Sequence, residues 1–254
     1  MFSVEQREQI RAQILGRARS DPLIAGAAVT GSGAKREEDR WSDIDLFFGV
    51  VEGVGTREAL EEWSEFFYRV LGALHHFDLD APPAIYRGWL LPGCLEVDVG
   101  LSPVGAFGPL GPNFRIVFGE TVDVPTDAPD DSEHLIGLAW HHTLHARSSI
   151  ERDKLWQAEY WISAIRDHTL TLACLRLGLP AAYAKGADRL PAEITADLAA
   201  SLVRSLDGAE LNRALRAATI ALSRELGRSD PDVAARLEDP LMELGGISPP
   251  SPNQ

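Results

Sequence analysis

The sequence predicts an α+β protein: a mixed sheet with helices in the N-terminal half, followed by a C-terminal helical bundle. Three observations carry this. Short apolar runs bounded by Gly, Pro and Asp fill the N-terminal half. Thr121–Ser132 (TVDVPTDAPDDS) is rich in Pro and Asp and reads as a linker. Beyond it, apolar residues recur at helical spacing almost throughout. The expected division is residues 1–125, residues 132–244 and a disordered tail at 245–254 (GGISPPSPNQ).

The elements follow in order. Val4–Arg19 is an amphipathic helix, with Ile10, Ile14 and Leu15 at helical spacing. Leu23–Thr30 (LIAGAAVT) is a strand that ends in a Gly31-Ser32-Gly33 turn, and Lys35–Arg40 is a polar loop. Ile44–Val51 (IDLFFGVV) is a buried strand. Thr56–Leu71 is a helix with Leu60, Trp63, Phe67 and Val70 on one face. Ala84–Leu91 and Cys94–Leu101 are strands joined at Pro92-Gly93, and Arg115–Phe118 is a last short strand. In the second half, Glu133–Arg147, Ile150–Leu177, Pro191–Leu206 and Ala209–Leu226 are helices, the second stopped by Gly178-Leu179-Pro180.

Composition narrows the function class. With 254 residues, 45% of them hydrophobic and 24% charged, the chain has an ordinary globular make-up and can bury a core without staples. Cys94 and Cys174 match no metal-binding spacing and read as buried free thiols. Met1–Ser20 lacks a signal-peptide apolar region, and no stretch nears the ~18 apolar residues of a membrane span. The expectation is a cytoplasmic protein with no membrane partner, monomeric or homodimeric. The net charge of −14 counts mildly against a nucleic-acid partner, since phosphate backbones are gripped by Lys and Arg. It leaves that partner open and suits a cationic small molecule, or simple solubility, equally well.

The chemistry concentrates in Thr30-Gly31-Ser32, then ten residues, then Asp43-Ile44-Asp45. Residues two apart on a strand share a face, so Asp43 and Asp45 repel each other beside the apolar run that follows. A hard divalent cation relieves the repulsion, and Mg²⁺ suits, because it binds through a few carboxylates plus substrate phosphates. Asp98, in Leu95-Glu96-Val97-Asp98-Val99, completes a triad if its strand lies beside Ile44–Val51; Glu96 shares its face and competes for the role. Two metals ~4 Å apart could then clamp an in-line displacement. Gly31 lets backbone approach a phosphate closely, and the Ser32 hydroxyl can bond its oxygens.

This pattern resembles the polymerase-β nucleotidyltransferase superfamily over Leu23–Leu101, and the helical second half resembles the bacterial antibiotic (aminoglycoside and lincosamide) nucleotidyltransferases in layout. The resemblance implies a polymerase-β-like catalytic domain and a reaction in which a nucleoside triphosphate, usually ATP, gives its nucleotidyl group to a substrate hydroxyl. It implies Mg²⁺ on Asp43 and Asp45, Asp98 as third ligand or base, and phosphate contacts from Ser32 and Ser42. It also implies a helical domain that closes on nucleotide, with Arg166 and Lys185 as candidates for triphosphate contacts.

Within the helical half, Glu159 sits among Trp156, Tyr160 and Trp161, a place to hold an ammonium group or act as a base; Glu151 is a weaker alternative. His141 and His145 have a helical zinc spacing, but no Glu stands where a His-Glu-x-x-His base would, so a substrate-lining or half-buried cluster is the expectation. Tyr86, Trp89 and Tyr160 could stack a base or sugar, although a core role is commoner for each. The reading is a Mg²⁺-dependent transfer of AMP from ATP to a small polar or cationic acceptor, such as an aminoglycoside-like antibiotic, bound in a cleft between the halves. The alternatives are a toxin-type transferase acting on tRNA or protein, and a nucleotide-binding regulator without chemistry.

Overall fold

The computed structural model describes residues 1–125 and 132–247. The chain divides into two compact units, Met1–Asp127 and Ala128–Gln254.

The first unit is a six-stranded mixed sheet with helices. In chain order it runs α1 (Val4–Ser20), β1 (Ile24–Thr30), α2 (Gly31–Lys35), β2 (Ile44–Val50), α3 (Thr56–Arg69), β3 (His75–Ala81), β4 (Ala84–Leu91), β5 (Leu95–Pro103) and β6 (Phe114–Phe118). The sheet order is β3-β4-β5-β2-β1-β6. Among the described residues, only β2 and β5 pair in parallel, and the other pairs are antiparallel. Alternation along the strands sorts their side chains. Ile44, Leu46, Phe48 and Val50 of β2, with Val97, Val99 and Leu101 of β5, pack with Ile14 of α1 and Trp63 and Phe67 of α3. Asp45, Phe47, Asp98 and Gly100 therefore point to the opposite face.

The second unit is helical: α4 (Ser132–Glu151), α5 (Leu155–Arg176), α6 (Ala192–Ala200), α7 (Gly208–Ser229) and α8 (Pro231–Leu244). Ala139, Ile162, Ile165, Leu215 and Leu222 fill its core. The buried Glu225 is held by Arg176 through two bonds of 2.6 and 3.0 Å, which satisfies a charge that would otherwise be costly to bury. No helix among the described residues is long and apolar enough to cross a membrane.

Several elements depart from expectation. Gly31-Ser32-Gly33 opens a five-residue helix rather than a turn. β3 was not anticipated: its burial pattern shows little of the buried alternation that marks a half-buried strand. α8 was missed as well, since its interior Pro240 argues against a helix. The Pro191–Leu206 helix ends at Ala200. Val70 lies one residue past the end of α3 and is 57% exposed, so it leaves the apolar face. Cys94 is exposed rather than buried, because it turns the β4–β5 connection with φ +60°. Residues 126–131 of the expected linker and 248–254 of the expected tail lie outside the described residues. Of the rest of that tail, Gly245, Gly246 and Ile247 bond back to Leu241, Glu243 and Met242 and cap the C-terminal end of α8.

Candidate active site

Asp45 and Asp98 are register partners across the parallel strands β2 and β5. Both are half-buried and both project to the face away from the helices. Asp43, at the entrance to β2, joins them through space. Burial, then the charges of Glu96 and Asp43, pushes the Asp98 carboxyl up to about 6. Asp98 is thus a carboxylate whose charge is resisted by its surroundings, the condition a bound cation would reverse.

Gly31, the first residue of α2 just past β1, meets the same group. Its φ is +57°, and a Cβ there would fall 1.9 Å from Asp45 Oδ2. Only glycine lets the backbone pass this close to the carboxylate. Ser32 follows as the second residue of α2, and its carbonyl accepts the Glu37 N–H at 3.1 Å.

The loop into Asp43 is held from beneath by two arginines that the sequence reading overlooked. Arg7, 3% exposed, donates to the carbonyls of Asp39 at 2.5 Å and Ser42 at 3.0 Å. Arg11 pairs with Glu38 and, at 2.9 Å, with Glu8. Arg7, Arg11, Ile14 and Ala18 form one buried stripe of α1, a pattern legible as i, i+4, i+7, i+11 had the arginines been counted with the apolar residues. The Ser42 hydroxyl accepts the Asp39 N–H at 2.9 Å and lies 3.2 Å from Asp39 Oδ1, so it closes the loop on itself.

The residues expected in the helical unit are separate from this set in the chain's division. Glu159 is half-buried on α5 and accepts from the Ser163 hydroxyl at 2.7 Å; Trp156 and Tyr160 beside it are largely exposed. Arg166 lies two turns further along α5, 3.8 Å from Asp167. Lys185 is exposed, its Nζ 5.9 Å from the Tyr183 ring. Glu151 pairs with Arg147 at 3.2 Å. His141 and His145 have ring centroids 4.3 Å apart, while His142 bonds His168 at 3.1 Å and lies against Trp161. Trp89 is a core residue, stacked on Phe67 at 3.8 Å.

Among the described residues, no three His, Cys, Asp or Glu side chains form a ready-made metal cage. Mg²⁺ does not require one: it commonly takes one or two carboxylates and completes its shell with phosphate oxygens and water. Asp45 and Asp98 on the central strands β2 and β5, with Asp43 at the entrance to β2, offer carboxylates of the type such a shell uses, one of them resisting its own charge and another against bare backbone.

No protein-family model matches the chain, and no curated protein matches it. Among solved structures, the crystal structure of an aminoglycoside 6-adenyltransferase from Bacillus subtilis is similar, at 12% identity and a TM-score of 0.38, with 96% of this chain and 99% of that chain covered. At that score the likeness bears on neither activity nor substrate.

Proposed function

We propose that the chain is a Mg²⁺-dependent nucleotidyltransferase that moves AMP from ATP to a hydroxyl of a small polar or cationic acceptor, an aminoglycoside-like antibiotic being one such molecule. The observation that carries this is the convergence of Asp45, Asp98 and the glycine backbone at position 31 on the face of the sheet away from α1 and α3. Asp43 and Asp45 would hold Mg²⁺, with Asp98 completing the set. When bound, the metal would neutralise the triphosphate and the charge that develops at the reacting phosphorus.

The chain's own residues supply the rest. Gly31 and Ser32 border the triphosphate, and Arg7 and Arg11 fix the loop that carries Ser42 and Asp43. The acceptor oxygen bonds to the α-phosphorus as the bond to the β-phosphate oxygen breaks, and pyrophosphate leaves. The hydroxyl proton passes to a carboxylate, for which Asp98 is the buried candidate. Most of the rate would come from positioning and electrostatics. Glu159 remains the candidate for an acceptor ammonium group, and Arg166 and Lys185 for triphosphate contacts. The net charge of −14 favours a cationic acceptor over a nucleic acid.

The test is label transfer from α-labelled ATP with Mg²⁺, an antibiotic panel and bacterial extract, followed by separation of small molecules, RNA and protein. Label in the small-molecule fraction that disappears with Asp45→Asn is the expected result. Label in RNA or protein would retain the transferase and move the acceptor. No label in any fraction would overturn the reading.

A further inference from the structure

Beside the carboxylates, on the same face of the sheet, lies a cavity of about 260 Å³. Alternation builds its floor. Phe47 is two residues past Asp45 on β2, Gly100 is two past Asp98 on β5, and Tyr86 stands opposite Gly100 across β4 and β5. A Cβ at Gly100 would fall 2.5 Å from both the Phe47 and Tyr86 rings. Those rings therefore close over bare backbone, their centroids 5.8 Å apart and their planes 29° from parallel. Thr30, next to Gly31, forms one edge; Phe114 and Asn113 form another.

Two features select a ligand. Among the described residues, no charged side chain lines the cavity. The Asn113 side-chain oxygen is buried with no hydrogen-bond partner. A phosphate group would find no cationic counter-charge there, and a sugar would leave most of its hydroxyls unpaired. A flat heterocycle gains by stacking on the rings, and an N–H on its edge would satisfy the buried oxygen. The cavity also borders both ends of the carboxylate set: Thr30 precedes the Gly31 that touches Asp45, and the Tyr86 phenol is pushed up by burial and by the charge of Asp98.

We propose that this cavity is a nucleobase subsite, in which Tyr86 stacks the base and Asn113 accepts a hydrogen bond from its amino edge. The inference rests on the nucleotidyl-transfer reading and assigns the base to the sheet of the first unit.

The test is calorimetric titration of the full chain with Mg²⁺–ATP and with Mg²⁺–tripolyphosphate, for the natural protein, Tyr86→Ala and Asn113→Leu, each checked by thermal melting. The natural protein should bind ATP more tightly than tripolyphosphate. Each variant should lose about tenfold in ATP affinity, the scale of one base–aromatic stack or one buried hydrogen bond, with tripolyphosphate affinity unchanged. Equal affinity for the two ligands in the natural protein, unchanged ATP affinity in the variants, or an equal loss for both ligands would overturn the base subsite and leave the transfer reading standing. A natural protein that binds neither ligand would overturn the transfer reading, and the subsite with it. Asn113→Leu, outside the strands, carries the test if Tyr86→Ala does not fold.

Discussion

Asp45 and Asp98 are register partners across the parallel strands β2 and β5, and each is followed two residues later by a position on the same face, Phe47 and Gly100. Packing alone would not favour an acid at the position of Asp98, since burial and then the charges of Glu96 and Asp43 oppose its ionisation. If the pair serves a cation, it costs stability when none is bound. Asp98→Asn should therefore raise the melting temperature of the EDTA-treated protein by about 2–4 °C, the shift ~1 kcal/mol makes at this size. The same substitution should lower nucleotidyl transfer at least about a hundredfold. A variant that melts lower than the natural protein in EDTA would show that Asp98 is held by structural partners instead.

Gly31→Ala should fail for two separable reasons. The backbone at φ +57° disfavours any side chain, and the new methyl would collide with Asp45 Oδ2. The expected cost is about 1–3 kcal/mol of stability together with loss of transfer. Gly31→Ala combined with Asp45→Ala removes the collision but keeps the backbone strain, so the double variant should recover part of the stability and none of the activity. Equal stability of single and double variants, by denaturant titration, would refute the contact.

Arg7 should behave as a positioning residue. Its guanidinium spans two carbonyls of the loop that leads into Asp43. Arg7→Leu keeps the buried stem and removes both bonds, so kcat should fall about tenfold with a smaller change in the ATP KM, alongside ~1–3 kcal/mol of destabilisation. Arg7→Lys should not restore kcat, because a single ammonium does not reproduce the planar fork. A normal kcat in a destabilised Arg7→Leu protein would reduce the role to packing.

Much of this arrangement was legible in the sequence, and the parts that were not have separate physical causes. β1, β2, β4 and β5 announce themselves because they are buried on at least one face and carry apolar runs or, in β5, apolar residues alternating with Glu96 and Asp98. β3 was passed over although Phe77, Leu79 and Ala81 alternate with Asp78 and Asp80, because it is a short edge strand that leaves those apolar residues exposed. The spacing of Asp43 and Asp45 fixes that they share a face, but not which strand lies alongside. The Asp45–Asp98 partnership is a register, set by long-range pairing that no local pattern encodes. Arg7 and Arg11 were overlooked because a hydrophobicity pattern treats arginine as surface, whereas here each is buried by stem packing and carries its charge to a carbonyl or a carboxylate.

In the helical unit, His142 and His168 form a hydrogen-bonded pair, ring on ring at 4.9 Å. Burial, then the neighbouring His168, pushes His142 down to about 4; burial also lowers His168. Both bases therefore charge more readily in the unfolded chain, near its ordinary value of ~6.5, than in the folded one. The unfolded state binds the extra protons, so their contribution is fully present above pH ~6.5 and is lost as the pH falls toward 4. His142→Gln stays neutral across this window and can still bond His168. The variant should show a shallower fall in melting temperature between pH 7 and pH 5 than the natural protein, with Asp45 and Asp98 unaltered in both. Parallel profiles for the two proteins would place the acid sensitivity outside this pair, and a steeper profile in the variant would reverse the sign derived for His142.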